Sequence, residues 1–139
     1  MEDLFELEIE SKLEDLAVIG DFITDSMREF GLVDHKIFEI QMAVDEACTN
    51  IINYGYTVDV GMINISCWRR DEDVLVVIKD RAKPFDPTSV PPPDLDASLE
   101  KRKIGGLGVY FMKTLVDELK YEFRDGKNVL MMVVKASAR

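Results

Sequence analysis

D-H-K-I-F-E-I-Q-M-A-V-D-E-A-C-T-N-I-I-N-Y-G, residues 34–55, carries two stripes at helical spacing. Ile37, Ile40, Val44, Ala47, Cys48 and Ile51 make the apolar face of one long helix, which Asp34 is placed to cap and which runs to Tyr54-Gly55. Glu46, Asn50 and Asn53 fall at i, i+4 and i+7 and form a second, polar stripe. Such a helix needs a second layer to cover its apolar face, and the next segments provide it. Residues 62–69 and 74–79 read as strands around the polar turn Arg70-Asp71-Glu72-Asp73, the pattern of an antiparallel hairpin.

The same logic extends outward. Upstream, Phe5, Leu7 and Ile9 alternate with Glu6, Glu8 and Glu10, as in a strand with one wet face. Ser11-Lys12-Leu13-Glu14 has capping-box spacing, and Leu13, Leu16, Ala17, Gly20, Ile23 and Met27 then recur helically until Gly31. Downstream, periodicity stops between residues 80 and 103, where Pro84, Pro87 and Pro91-Pro92-Pro93 precede the basic run Lys101-Arg102-Lys103. A loop beyond about 12–15 residues in a compact domain is a functional lid or a disordered segment. After Gly105-Gly106-Leu107-Gly108, a helix is expected with Val109, Met112, Leu115, Val116 and Leu119 on one face. A final hairpin follows, residues 121–124 and 128–135 around Asp125-Gly126. The order β-α-α-β-β-lid-α-β-β, with hairpin-joined strands and no internal repeat, argues an α+β two-layer sandwich in a single domain spanning 1–139.

Composition bounds the partners. The 139 residues include 27 Asp plus Glu against 17 Lys plus Arg, a formal net charge of −10. So acidic a surface is poorly suited to tracking a phosphate backbone, which excludes nucleic acid as an expected direct partner. The longest apolar run, residues 129–134, is far short of the roughly 18–20 residues of a membrane span, and Met1-Glu2-Asp3 is no basic leader. No membrane association and a cytoplasmic location are the expectation. Cys48 and Cys67 lie in apolar segments and read as buried thiols.

Three constellations could carry chemistry, and each has a plain structural alternative. Two asparagines inside a helix cost several tenths of a kcal/mol each relative to Ala. Either the Glu46, Asn50, Asn53 stripe is a solvated face, or Glu46 accepts a proton and the Asn50 amide oxygen holds Mg2+. Asp80 ends a strand before Arg81-Ala82-Lys83-Pro84-Phe85-Asp86-Pro87. It either bonds its own turn or accepts a hydrogen bond from an exocyclic amine such as that of adenine, flanked by Pro84 and Phe85. Gly105, Gly106, Leu107 and Gly108 open a helix where backbone N–H groups suit a phosphate, or merely join a mobile loop to it. Lys101-Arg102-Lys103 before them is either a charge island for a polyphosphate or a solvated run. His35, the one histidine, has no nearby Cys or second His, so neither zinc nor a Ser-His-Asp triad is expected, and neither G-x-x-x-x-G-K-[ST] nor G-x-G-x-x-G is present.

In order along the chain, E-A-C-T-N-I-I-N-Y-G-Y (46–56), D-R-A-K-P-F-D-P (80–87) and G-G-L-G-V-Y-F-M-K-T-L-V-D-E-L-K-Y (105–121) resemble the GHKL superfamily of ATPases and kinases. More narrowly, they resemble the bacterial anti-sigma-factor serine/threonine-protein kinases, over nearly the whole chain. The resemblance implies helices on a mixed, mainly antiparallel sheet (a Bergerat-type ATP-binding fold) with an ATP lid at about residues 86–108. It implies Glu46 as general base, Asn50 on the Mg2+ that bridges the ATP phosphates, Asn53 beside the nucleotide and Asp80 on the adenine amine. Gly106 and Gly108 would let the lid close, and Arg102 or Lys103 (or Lys101) would neutralise the γ-phosphate. The histidine kinases of the superfamily match less well, because no helix bearing a phospho-acceptor His precedes the domain. One departure stands out: the family usually has Gly two residues after the adenine-binding Asp, and this chain has Ala82. A methyl there is expected to crowd the base or constrain the backbone and so reduce nucleotide affinity. The implied activity is phosphorylation of a small STAS-type anti-sigma-factor antagonist, together with sequestration of a sigma factor, by a homodimer acting in transcription regulation. The rival reading is a nucleotide-gated binding module without transfer. A hydrolase driving a dimer clamp fits so short a chain less well.

Overall fold

The computed structural model describes residues 4–56, 60–91 and 106–136. Five strands make one sheet, β1 (Leu4–Glu10), β2 (Met62–Arg70), β3 (Asp73–Asp80), β4 (Glu118–Arg124) and β5 (Lys127–Lys135), in the order β1-β2-β3-β5-β4. Every pairing is antiparallel, so the sheet among the described residues is antiparallel throughout rather than mixed. Three helices, α1 (Leu16–Glu29), α2 (Asp34–Asn50) and α3 (Gly106–Leu115), lie in the second layer.

The period-two pattern of the strands decides which face meets the helices. Ile63, Ile65 and Cys67 of β2, Val74, Val76 and Ile78 of β3, and Leu130, Met132 and Val134 of β5 all point to one face, where they are buried. They pack against Ile19, Ile23 and Met27 of α1, Ile37, Ile40, Val44, Ala47 and Cys48 of α2, and Met112 and Val116. The two cysteines are free and fully buried here, and burial pushes the Cys67 thiol up to about 12. Because alternation continues to the strand ends, Asp80 and Asn128 project from the same face as Ile78 and Leu130. They sit directly opposite one another in the β3–β5 register.

Turn chemistry matches the sequence. Asp125 and Gly126 both have positive φ (55° and 76°), as a two-residue primed hairpin turn requires, and Asp71 (φ 54°) opens the β2–β3 turn. Gly31 (φ 82°) ends α1, with the Leu32 N–H donating to the Met27 carbonyl at 3.1 Å and the Arg69 guanidinium capping the Phe30 carbonyl.

Four local expectations are corrected. The Ser11 hydroxyl caps no helix: it accepts the Gly61 N–H at 3.0 Å while the Ser11 N–H donates to the Gly61 carbonyl at 2.8 Å, so a tertiary pair outcompetes the capping box. A 3₁₀ turn (Leu13–Asp15) intervenes before α1. Val33 is the cap residue of α2, and Asp34 already lies inside the first turn, where its charge suits the helix dipole. The α-helical hydrogen bonding of α2 ends at Asn50, and Ile51–Gly55 form a wider π turn closed by the Tyr56 N–H on the Ile51 carbonyl at 3.2 Å. Finally, Leu119 is a strand residue of β4 opposite Met132, because α3 stops at Leu115.

Candidate active site

Two clusters form where the sheet's strand ends meet α2 and α3. The first is built on the Asp80–Asn128 pair. Asp80 is only 6% exposed, and its Oδ1 accepts two hydrogen bonds at 2.9 Å, from the Ala82 N–H and from Nδ2 of Asn128. Its Oδ2 has no partner among the described residues. Burial raises the Asp80 pKa above the ordinary 3.8, opposed by the two donors. A carboxylate so deeply buried with one oxygen unpaired is costly by itself and complete only when a donor reaches it.

Asn128 is the hub of this cluster. Nδ2 also faces the Ala82 and Lys83 carbonyls at 3.2 and 3.1 Å, while Oδ1 accepts the Phe85 N–H at 3.2 Å and the Tyr121 hydroxyl. It thereby fixes the course of residues 82–85, where Phe85 is 45% exposed. Tyr56, leaving the π turn, closes the other side: its hydroxyl donates to the Met62 carbonyl at 2.9 Å and accepts the Arg81 N–H at 2.7 Å. A Cβ on Gly61 would overlap the Tyr56 ring, so glycine is what lets that ring lie there. The Ala82 methyl packs on the π turn, since a Cβ built on Gly55 would stand 2.9 Å from it. Glycine at 55 is the local accommodation for alanine at 82.

The second cluster is built on Glu46. Its carboxylate is half-buried, and a Cβ on Gly108, in the first turn of α3, would overlap Oε2. Burial, and then the charge of Asp45, raise the Glu46 pKa above its ordinary 4.5, moving it toward the range of a working base. Asn50, one turn further along α2, is half-buried, and neither its side chain nor that of Glu46 has a hydrogen-bond partner among the described residues. From Glu46 an open groove of about 460 Å³ runs outward between α1 and α2 past Gly20, Phe38, Met42 and Asp45.

The structure therefore brings Glu46 to Gly108, and Asp80 to Ala82 and Phe85. Cys48 is buried on the inner face of α2, its thiol pushed up by burial and then by the charges of Asp45 and Asp80. Asn53 is exposed within the π turn, so the stripe of Glu46 and Asn50 does not extend to it at α-helical phase. Lys101, Arg102, Lys103 and Gly105 lie outside the described residues, whereas Gly106 and Leu107 begin α3. The start of the expected lid is described: Asp86 caps a 3₁₀ turn (Pro87–Ser89), and Lys113 of α3 donates to the Thr88 and Val90 carbonyls at 3.2 and 2.9 Å. Asn128, Tyr56 and Lys113 were not singled out by sequence. The signal for Asn128 was a polar residue heading the otherwise apolar run 129–134.

Among the described residues, a fold of three helices on an antiparallel sheet, with a buried Asp holding one oxygen free at a strand end and a Glu against a helix-opening Gly, defines a class. The chain belongs to the histidine kinase-like ATPase family, whose domain model matches residues 9–134. Its relatives include the serine-protein kinase RsbW of Bacillus cereus strain ATCC 10987, 30% identical over 130 residues that cover 91% of this chain and 81% of the relative. RsbW of Bacillus cereus strain G9842 is 31% identical, and RsbW of Bacillus thuringiensis subsp. konkukian 30% identical, with the same coverage. The crystal structure of the RsbU and RsbW domains of Rv1364c from Mycobacterium tuberculosis shares the fold, with a TM-score of 0.72 at 16% identity over 99% of this chain. This chain spans about a third of it (33%). Among the described residues no helix is long and apolar enough to cross a membrane, and no cluster of three or more His, Cys, Asp or Glu could hold a metal ion.

Proposed function

We propose that this chain is a serine/threonine protein kinase that moves the ATP γ-phosphoryl group to a hydroxyl of a small STAS-type antagonist protein, and that it holds a sigma factor when it is not so engaged. The observation that carries the reading is the Glu46 carboxylate: half-buried, raised in pKa, without a partner among the described residues, and backed by Gly108 of α3. The related chains named serine-protein kinases support it. In this reading Asp80 Oδ2 accepts from the adenine amine, and the N–H groups of the first turn of α3 face the phosphates.

The acceptor hydroxyl enters by the groove between α1 and α2, and Glu46 takes its proton as the new P–O bond forms and ADP departs. Asn50 suits Mg2+ because its amide oxygen is a hard donor beside the base, and Mg2+ is held chiefly by substrate phosphates plus one or two protein oxygens. That ion, when bound, supplies charge neutralisation on the phosphates. The chain's own contribution is positioning and a poised base, the usual division of labour in phosphoryl transfer. Cytoplasmic location and a homodimer belong to the same proposal.

The test is a transfer assay with γ-labelled ATP, Mg2+ and a purified STAS-type antagonist. Label on a single Ser or Thr of the antagonist, lost in Glu46→Gln while ATP binding persists, is the expected result. Undiminished transfer by that variant would remove Glu46 from the mechanism. Saturable ATP binding with no transfer to any acceptor would leave the nucleotide-gated binding module as the function.

A further inference from the structure

We infer that Lys113 is a positioning residue: it fastens the segment that leaves the Asp80 cluster to α3, and thereby sets the first turn of α3 against Glu46. The inference rests on the proposed phosphoryl transfer and adds to it a residue that belongs to neither cluster.

Residues 86–90 follow directly on Phe85, whose N–H is held by Asn128. They form a compact turn. The Asp86 carboxylate accepts from the Thr88 N–H at 2.8 Å, from the Thr88 hydroxyl and from the Ser89 hydroxyl at 2.7 Å. The Ser89 and Val90 N–H groups donate back to the Asp86 and Pro87 carbonyls at 3.2 and 3.3 Å, and Pro87 is buried. This leaves the Thr88 and Val90 carbonyls without a backbone donor among the described residues, and Lys113 Nζ donates to both, at 3.2 and 2.9 Å. Donor and acceptors lie 25 and 23 residues apart in the chain, and among the described residues these two bonds are the ones that tie residues 81–90 to α3.

A lysine in the last turn of a helix ordinarily complements the helix dipole. Lys113 does more than that duty asks, because its half-buried ammonium is spent on two carbonyls outside the helix. Its charge is also felt by the turn: burial works against ionisation of Asp86, but the Thr88 and Ser89 donors and then Lys113 hold that carboxyl below its ordinary 3.8.

The fastening matters because of what α3 carries at its other end. Val109 and Met112 bury the inner face of α3, but apolar burial is non-directional and permits a ten-residue helix small slips and rotations. Two hydrogen bonds at the last turn remove that freedom. Five residues back, about 7.5 Å along the axis, Gly108 approaches Glu46 so closely that a Cβ would overlap Oε2. A continuous chain of contacts thus runs from Asn128 through Phe85, the 86–90 turn, Lys113 and α3 to Gly108 and Glu46. Contact alone does not establish coupling, which has to be measured.

Lys113→Met keeps the aliphatic stem and removes the donor, whereas Lys113→Arg keeps a donor of similar reach. Steady-state transfer from γ-labelled ATP to the purified STAS-type antagonist is measured on the intact chain, beside calorimetric titration with ATP and Mg2+. Lys113→Met is expected to lower kcat by about ten- to a hundredfold while the ATP Kd stays within about twofold, the mark of lost alignment with intact binding. Lys113→Arg should recover most of kcat. Asp86→Ala, which loosens the same turn from its other side, should show the same split, and the double variant should be no worse than the more impaired single one.

A purely dipolar role would lower Tm and leave kcat unchanged at temperatures well below it. Direct contact of Lys113 with the phosphates would weaken ATP binding as much as transfer. Either result overturns the inference, and so does an additive loss in the double variant. Should Lys113→Met fail to fold, judged by thermal melts, Asp86→Ala carries the test with the same split expected and the same results against it. ATP binding without any transfer by the unaltered chain would instead remove the kinase reading, and this inference with it.

Discussion

The Asp80 cluster, built on the strand ends, and the Glu46 cluster, built on α2, differ in one respect: who satisfies their polar atoms. Around Asp80, protein groups do nearly all of it. Asn128, Ala82, Phe85, Tyr121 and Tyr56 bond to one another or to backbone, and a single carboxylate oxygen is left over. Around Glu46 and Asn50, no described residue hydrogen-bonds either side chain. A saturated network is rigid and can discriminate, because a misfit strands buried groups. Open polar groups are free to follow reacting atoms whose charges change. In the proposed reading one end of the site recognises and the other acts, and each should fail in its own way when altered.

Gly108→Val should have the largest effect. Its side chain would be driven into the Glu46 carboxylate, and transfer in the labelled-phosphate assay is expected to fall by 10²-fold or more, roughly the worth of a positioned base. A variant of normal activity would show that the first turn of α3 does not need to close on Glu46.

On the Asp80 side, Asn128→Ala removes one of the two donors to a buried carboxylate and leaves the Phe85 N–H without its partner. It should cost about 2–4 kcal/mol in denaturant unfolding, the range for breaking a buried polar network. Loss of less than about 0.5 kcal/mol would mean the network is not rigid, and the contrast drawn above would dissolve.

Gly55→Ala sets a Cβ 2.9 Å from that of Ala82 and should cost about 1–2 kcal/mol. Ala82→Gly in the same chain should recover most of it, and a double-mutant cycle with no coupling would break the link between these two positions.

Asn50→Ala, at the open end, should leave unfolding free energy within about 0.5 kcal/mol of the unaltered chain. Its expected effect is on Mg2+-dependent ATP affinity, measured with and without chelator.

The smallest effect is on pH. Asp45, Glu46 and Asp80 all have pKa values raised in the fold, chiefly by burial, so the folded state binds more protons than the unfolded one between the ordinary and the raised values. Their contribution favours folding as pH falls from neutrality toward the usual carboxylate range and fades as pH rises. A thermal melt of the nucleotide-free chain should accordingly shift upward on mild acidification, and a downward shift would contradict the sign of these terms. For the proposed transfer the sign is opposite, since Glu46 would have to be ionised to take the proton, and the acid limb of the rate profile should lie above pH 4.5.

What the sequence made legible follows the same division. Strand alternation and hairpin turns are local, and they gave the element order, the pairing of β2 with β3 and the inward stripe of α2. Asp80, Glu46 and Gly108 were visible because each stands at a marked place: a strand end, a helix face, a helix start. The residues that were missed act at long range. Asn128 follows Asp125-Gly126-Lys127 and looks like one more turn residue until the β3–β5 register sets it opposite Asp80. Ser11 carries a convincing local motif whose hydroxyl is taken by Gly61, fifty residues away (|i−j| = 50). Leu119 fits a helical stripe with Leu115 and Val116 as well as it fits alternation with Tyr121, and only pairing with Met132 decides between them. The π turn is hidden because Ile51 and Ile52 are both apolar, so the hydrophobic pattern carries no mark of the widened turn.

The two cysteines, fully buried with thiols held protonated, have a practical corollary. The native chain offers no thiolate to alkylating dyes or peroxide, and its behaviour should be indifferent to ambient oxidants so long as it stays folded. A single cysteine introduced at an exposed position such as Thr88 would then be the sole point of attachment for a fluorophore or spin label. The surroundings of residues 86–91, where the proposed lid would begin, could be followed in the otherwise unaltered protein without first removing native sulfur.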